Sequence, residues 1–351
     1  ANLPTPSITD GSKYFQPTLY AGNGSTQSIN QSGNSTFQPD WVWIKNRDAA
    51  DNHVLTDAVR GATEILSSSS SSAESTDADT LTAFESDGFA LGDDVKVNTN
   101  SENYVAWQWL ANGAGSSNED GTINTTATSV NTTAGFSISK YDGSGSNATV
   151  GHGLGIAPKM VIVKERTDSR SWVVYHEGIG DAAKVIYLDQ SAAAGTDSSV
   201  WNSTAPTSTV FSVGTANGSN GSGNTYIAYA FAEIPGYSSF GSYTGNGSTD
   251  GPFIFTNGMT PKYVMIKRTN STGFWDILDT TREPFNSVGN QIFADRSDAE
   301  ASNDHEMDFV SNGIKIRDTS TSVNASGSTY IYMAFAEHPF GGDGAAPATA
   351  R

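Results

Sequence analysis

The stretch Thr225–Glu233, TYIAYAFAE, alternates: Ile227, Tyr229 and Phe231 fall on one face of an extended chain, and Tyr226, Ala228, Ala230 and Ala232 on the other. Neither face carries a charge before Glu233, so the pattern predicts a central strand covered on both sides, and the alanine row lets a neighbouring layer come close. Asn103–Trp109 repeats the pattern with Val105, Trp107 and Trp109, and Thr329–Glu337 repeats it nearly word for word as TYIYMAFAE. A second apolar run, Trp41–Ile44, Met160–Val163 and Tyr263–Ile266, is β-branched enough to favour strand over helix. Asp87-Gly88 and Asn312-Gly313 each precede an alternating segment and supply the positive φ of a tight hairpin. Short helices are expected around Asp57–Leu66 and Ser297–Met307, and a loop over Ser67–Ser72.

These elements recur in order. Pro39 to Lys45, Pro158 to Lys164 and Pro261 to Lys267 have one spacing, and each is preceded by a tyrosine with a glycine-rich turn: YAGNGST at Tyr20, YDGSGSN at Tyr141 and YTGNGST at Tyr243. The expected fold is all-β, with three tandem β-sandwich-like repeats of about 100 residues, an array of whole domains rather than a solenoid of small units. The lead-in 1–16 is expected to be extended, since Pro4 and Pro6 discourage helix. Repeats are placed at 17–112, 135–236 and 237–340, with a polar linker or edge hairpin at 113–134 and a flexible tail at 341–351.

Composition narrows the function. Charged residues are 16% and the formal net charge is −18. Nucleic acid is therefore an unsuited partner, because phosphate binding needs clustered Lys and Arg, and so is an anionic membrane surface. No cysteine is present, which removes disulfides, thiolate metal sites and cysteine nucleophiles. No run of apolar residues is long enough to span a bilayer, and the N-terminal residues lack the pattern of a signal peptide. Nucleophile-elbow, phosphate-loop, dinucleotide and His-Glu-x-x-His signatures are missing. The expectation is a protein without catalytic residues, metal or cofactor. The Asn-Gly-Ser triplets at Asn23, Asn217, Asn220 and Asn246 read as turn chemistry.

Three features are candidates for a role. Lys45, Lys164 and Lys267 end the buried run of each repeat; the expectation is that the stem packs while the ammonium reaches water. Asp120, Asp142 and Asp250 lie in acidic turns without the ligand density of a calcium loop. The third is an aligned set: His53, Trp172 and Trp275, followed at equal distance by Asp57, His176 and Asp279. Tryptophan beside polar groups suits either a sugar-stacking platform or a core and inter-repeat contact, and the alternating rows that follow favour the core.

The phrases NLPTPSITDGSKYF, FQPDWVWIKNR, ADNHVLTDAVRG, ESDGFALG, VGHGLGIAPKMVIVK and TYIYMAFAEHPFGG together resemble a family of bacteriophage structural and tail-fibre-like proteins common in marine phages, over nearly the whole chain. The resemblance implies a virion surface component assembled in the host cytoplasm, a tail fibre, knob or capsid decoration, whose partners are other virion proteins and copies of itself. It brings no catalytic residues. The alternative is a carbohydrate-binding adhesin or receptor-binding module with a host-surface glycan as partner, which would show exposed aromatic and polar loops that differ between repeats.

Overall fold

A computed structural model describes residues 6–302 and 305–339; the first five residues and the expected tail, 341–351, lie outside the described residues. The fold is all-β, 41% strand and 5% helix. The first unit contains β1 (Phe15–Ala21), β2 (Gln27–Asn30), β3 (Trp41–Asn46), β4 (Val54–Asp57), β5 (Gly61–Leu66), β6 (Ser75–Thr76), β7 (Leu81–Glu85), β8 (Gly88–Leu91) and β9 (Asn103–Trp109). The second contains β10 (Ala127–Asn131), β11 (Phe136–Asp142), β12 (Ala148–Gly151), β13 (Met160–Glu165), β14 (Val173–His176), β15 (Lys184–Tyr187), β16 (Gly195–Thr196), β17 (Val210–Val213) and β18 (Thr225–Phe231). The third contains β19 (Ser238–Thr244), β20 (Phe253–Phe255), β21 (Met259–Arg268), β22 (Trp275–Asp279), β23 (Ile292–Phe293), β24 (Met307–Val310), β25 (Gly313–Ile316) and β26 (Thr329–Pro339).

One antiparallel strand order recurs in the large sheets: β1-β9-β3-β4-β5-β6, then β11-β18-β13-β14-β15-β16 with β10 added at the edge, then β19-β26-β21-β22-β23. The doubly apolar strands β9 and β26 sit second from the edge, and β18 third because β10 is added there; each is paired on both sides. A smaller sheet covers the outer face of each: β2-β8-β7, β12-β17 and β20-β25-β24. Asp87-Gly88 and Asn312-Gly313 turn the hairpins β7-β8 and β24-β25.

Both faces of each large sheet are dry, for different reasons. The outer face forms a core within its own unit, such as Val42, Ile44 and Ala106 against Ile29, Phe89 and Leu91. The inner faces of all three large sheets meet in a single core containing Trp41, Trp107, Ile162, Tyr229, Met265 and Met333. Trp109, Phe231 and Phe335, at matching places on β9, β18 and β26, lie around its centre: Phe335 is 5.8 Å from Trp109 and 5.9 Å from Phe231, ring to ring. Trp41 of unit one stacks on Tyr229 of unit two at 4.5 Å. Buried aromatics remove on the order of 150–250 Å² each from water, so this shared core is a large part of what holds the molecule together.

The expected linker is structured. Asp40 accepts the N–H groups of Ala111 and Gly113, at 2.8 and 3.1 Å, and Asn112 N–H donates to Ser129 Oγ at 2.8 Å. Ile123 bridges to Val150 on the open side of β12, and residues 127–131 form β10, the edge-hairpin alternative. The lead-in is not simply extended. Ile8 enters the shared core, and Asp10 caps a 3-10 turn over Gly11–Lys13.

The two helix expectations are overturned. Residues 57–66 hold a tight turn and strand β5, because Asp57 Oδ1 captures the N–H of Val59 and Arg60 and turns the chain back on β4. Residues 297–302 and 305–307 are not helical. The α-helical segments among the described residues are four-residue turns, Val95–Asn98, Ser198–Trp201 and Asn217–Asn220.

Candidate functional site: three seams around one core

The singled-out residues converge on the boundaries between units. Trp172 is fully buried and its Nε1–H donates to Ser67 O, at 2.8 Å, and Ser70 O, at 3.2 Å, in unit one. Trp275, equally buried, donates to Tyr187 O of unit two at 2.8 Å. His53 takes the third place: its Nδ1 accepts from Trp43 Nε1 at 2.7 Å, and its Nε2–H faces Phe293 O at 2.9 Å and Arg296 O at 3.1 Å in unit three. Unit two grips unit one, unit three grips unit two, and unit one grips unit three, so the contacts close into a ring. A sugar platform needs exposed rings, and these positions are at most 1% exposed, which corrects the glycan reading of His53, Trp172 and Trp275.

The companion set is buried too. Asp57 Oδ2 accepts from Arg60 Nε at 2.5 Å and from Tyr229 OH of unit two at 2.7 Å. Arg60 continues to Glu74 at 3.0 Å, and Glu74 is held by Arg166 of unit two through both carboxylate oxygens, at 2.9 and 2.5 Å. Asp279 repeats the arrangement: Arg282 Nε at 2.6 Å, Trp107 Nε1 of unit one at 3.2 Å, Arg282 to Glu300 at 2.8 Å, and Glu300 to Arg47 of unit one at 3.0 and 2.8 Å. Burial alone would lower the Arg60 and Arg282 pKa values, but Asp57, then Tyr229 and Glu74, raise that of Arg60, and Asp279, then Glu300, raise that of Arg282. Burial would raise Glu74 and Glu300, and their paired arginines lower them.

The third seam breaks the pattern. His176 stands where the aspartates stand, its Nδ1 accepting from Gly178 N–H and its Nε2 bonded to Tyr332 O of unit three, both at 3.0 Å. Three residues on, Ile179 replaces the arginine; Ala194 and Thr269 replace the glutamate and its partner arginine. The main-chain bond survives in all three seams: Glu74 N–H to Arg166 O at 3.0 Å, Ala194 N–H to Thr269 O at 2.9 Å, Glu300 N–H to Arg47 O at 2.9 Å. Without the ionic cluster a cavity of about 220 Å³ opens, lined by Ile179, Lys184, Ala194, Thr269, Asn270 and Thr329.

The lysine expectation fails at the ammonium. Lys45, Lys164 and Lys267 are fully buried, their Nζ held by main-chain carbonyls: Asn46 O and Ala49 O, Glu165 O and Ser71 O, Gln190 O and Gly273 O respectively. Ser71 and Gln190 belong to the preceding unit, so these two lysines also cross seams. Burial lowers each pKa to about 8, opposed by nearby carboxylates such as Asp51, Glu165 and Asp295.

Sequence reading missed a repeated asparagine. Asn98, Asn220 and Asn324 are buried, and each clasps the glycine-rich turn of its unit: the amide donates to Ser25 O, Ser146 O and Ser248 O, and Oδ1 accepts from Asn23, Ser144 and Asn246 N–H. The signal was present: each stands six residues before a β-strand tyrosine, Tyr104, Tyr226 or Tyr330.

A depression of about 390 Å³ lies where units two and three meet and includes Lys159, Glu177, Glu233 and Phe240. Glu177 is paired with Lys159, and each Glu233 oxygen accepts an N–H, from Asn257 at 2.6 Å and Phe240 at 3.1 Å. Among the described residues no cluster of three or more His, Asp or Glu could hold a metal ion, and no helix is long and apolar enough to cross a membrane. What the seams accomplish chemically is fastening.

A family model described as a domain of unknown function, DUF7483, matches residues 10–339. The match spans the three units and their seams, and the chain belongs to that family. A search of curated proteins returned no match.

Proposed function

We propose that this member of the DUF7483 family is a non-enzymatic structural protein of a phage virion surface, a tail fibre, knob or capsid decoration. The observation that carries the reading is the fate of the chain's chemically capable residues. His53, Asp57, Trp172, His176, Trp275 and Asp279 are all buried at seams and engaged in internal hydrogen bonds. A protein that devotes six of its seven tryptophans to the shared core, and Asp57, Asp279, Arg60 and Arg282 to its seams, gains rigidity and resistance to proteolysis, properties an exposed particle component needs. The resemblance to phage structural and tail-fibre-like proteins points the same way.

The test is composition of the particle. Virions of the phage encoding this chain, purified on a density gradient and analysed by mass spectrometry, should contain it in several copies per particle. Antibodies to it should decorate intact particles in the electron microscope. Its absence from particles, with the chain recovered only from the soluble lysate, would overturn the reading.

A further inference from the structure

We propose that the outer sheet of unit three is a contact surface for a second copy of this chain, formed along the edge strand β20. The inference deepens the structural role proposed above and rests on it for its setting, although its chemistry is independent of where the protein resides.

The observation comes from comparing the three outer sheets. Ile29, Val150 and Ile254 occupy one position, pairing with Phe89, Phe211 and Ile314 and facing the unit's core. The residues on either side face outward. They are Ser28 and Asn30 in unit one, Thr149 and Gly151 in unit two, and Phe253 and Phe255 in unit three. Phe253 and Phe255 are 48% and 46% exposed, and the exposed aromatic rings among the described residues, these two and Phe285, all lie in unit three. Gly313 provides the floor: a Cβ there would sit 2.6 Å from Cζ of Phe253, so the missing side chain lets that ring lie across the sheet.

The edge itself distinguishes the units. In unit two the chain covers the open side of β12 with its own residues: Ile123 N–H donates to Thr149 O at 2.9 Å, and Thr122 and Thr149 exchange side-chain to main-chain bonds at 2.9 and 2.8 Å. That covering segment comes from the long connection between units one and two. The connection between units two and three is a turn at Ile234–Ser238, too short to do the same for β20. In unit one the corresponding edge β2 is open and presents polar side chains. Unit three alone combines an edge strand with an apolar outward face, an arrangement that templates pairing with another strand.

Self-complementarity points to a second copy as the occupant, and the local charge permits it. Two chains of net charge −18 repel over most of their surfaces. The charges around this face are largely paired, Lys315 with Asp250 at 2.7 Å and Arg317 with Asp308 at 2.7 Å, leaving Glu306 as the exposed acid beside them. The face is a place where two such chains can approach while burying phenyl rings. Antiparallel edge pairing about a two-fold axis near Ile254 sets Phe253 of each copy against Phe255 of the other, a self-complementary contact of the kind two-fold dimers use.

Sedimentation velocity on the full chain, across protein concentration and at low and high salt, tests this. The expected result is a reversible dimer that strengthens as salt screens the net charge. The double variant Phe253→Ser, Phe255→Asn installs the outward residues of unit one and should weaken dimerisation by about a hundredfold, with an unchanged thermal melt. Leu19→Ser, at an exposed apolar residue elsewhere, should leave the dimer intact. A chain that stays monomeric at every concentration, or a double variant that dimerises like the parent, would overturn the proposal. So would a monomer whose binding on an oligosaccharide array is lost in the double variant, which would assign the face to a glycan. Particle composition is read separately, so failure of the virion role and failure of this interface are distinguishable.

Discussion

At the residue scale, the buried polar groups are where single changes cost most. Trp275→Ala removes a side chain from the shared core and strands the Tyr187 carbonyl; the expected loss is about 3–5 kcal/mol, read as a clear drop in melting temperature. An unchanged midpoint would mean the ring contributes little packing. Arg282→Ala leaves Asp279 and Glu300 buried without their shared partner, a loss of about 3–5 kcal/mol by chemical denaturation. Acid should act through the histidines first. Burial, followed by the charge of nearby Lys45, lowers His53 to about 3, and burial lowers His176 to about 4. The unfolded chain takes up those protons below about 6.5, so their contribution is complete above that pH and drains away as pH falls toward 4. Urea midpoints should therefore fall between pH 7 and pH 5, and less steeply in His53→Gln than in the parent.

At the element scale, the three seams share one main-chain bond but not one environment, and protection from exchange should follow the environment. The amide of Ala194, beside the cavity of the seam without ions, should exchange faster than those of Glu74 and Glu300, which make the same bond beside buried ion pairs. Hydrogen-exchange mass spectrometry checks this; equal protection at all three would show that the ionic clusters do not stiffen their seams. Strand identity was legible in the sequence because TYIAYAFAE is apolar on both faces, and the hairpins because Asp-Gly and Asn-Gly announce them. What covered the inner face was not legible. The covering atoms belong to the other units, 88 residues away for Tyr187 against Trp275 and 240 for Phe293 against His53, and periodicity reports only that a face is apolar. For the same reason Lys45, Lys164 and Lys267 read as strand exits when they end in carbonyl cages, two of them built partly by a neighbouring unit. The run 57–66 read as a helix because its local propensities allow one; the aspartate turn and pairing with β4 overrode them. The candidate residues read as an aligned set, but alignment could not tell an exposed platform from a seam.

At the scale of the whole molecule, the shared core makes the three units interdependent. Each has an inner face that is satisfied only by the other two, so calorimetry should show one cooperative transition, with calorimetric and van't Hoff enthalpies in agreement. Three resolved transitions would mean that the outer cores suffice alone. The cyclic order of the seams carries a further consequence, for ancestry. An open array gains or loses a module at its end and remains sound. A closed circuit does not: remove one module and two mating surfaces lie bare, add a fourth and the angle no longer closes. Length variation among relatives should therefore fall in the turns and connecting segments rather than as a whole unit gained or lost, which comparison of their lengths would check.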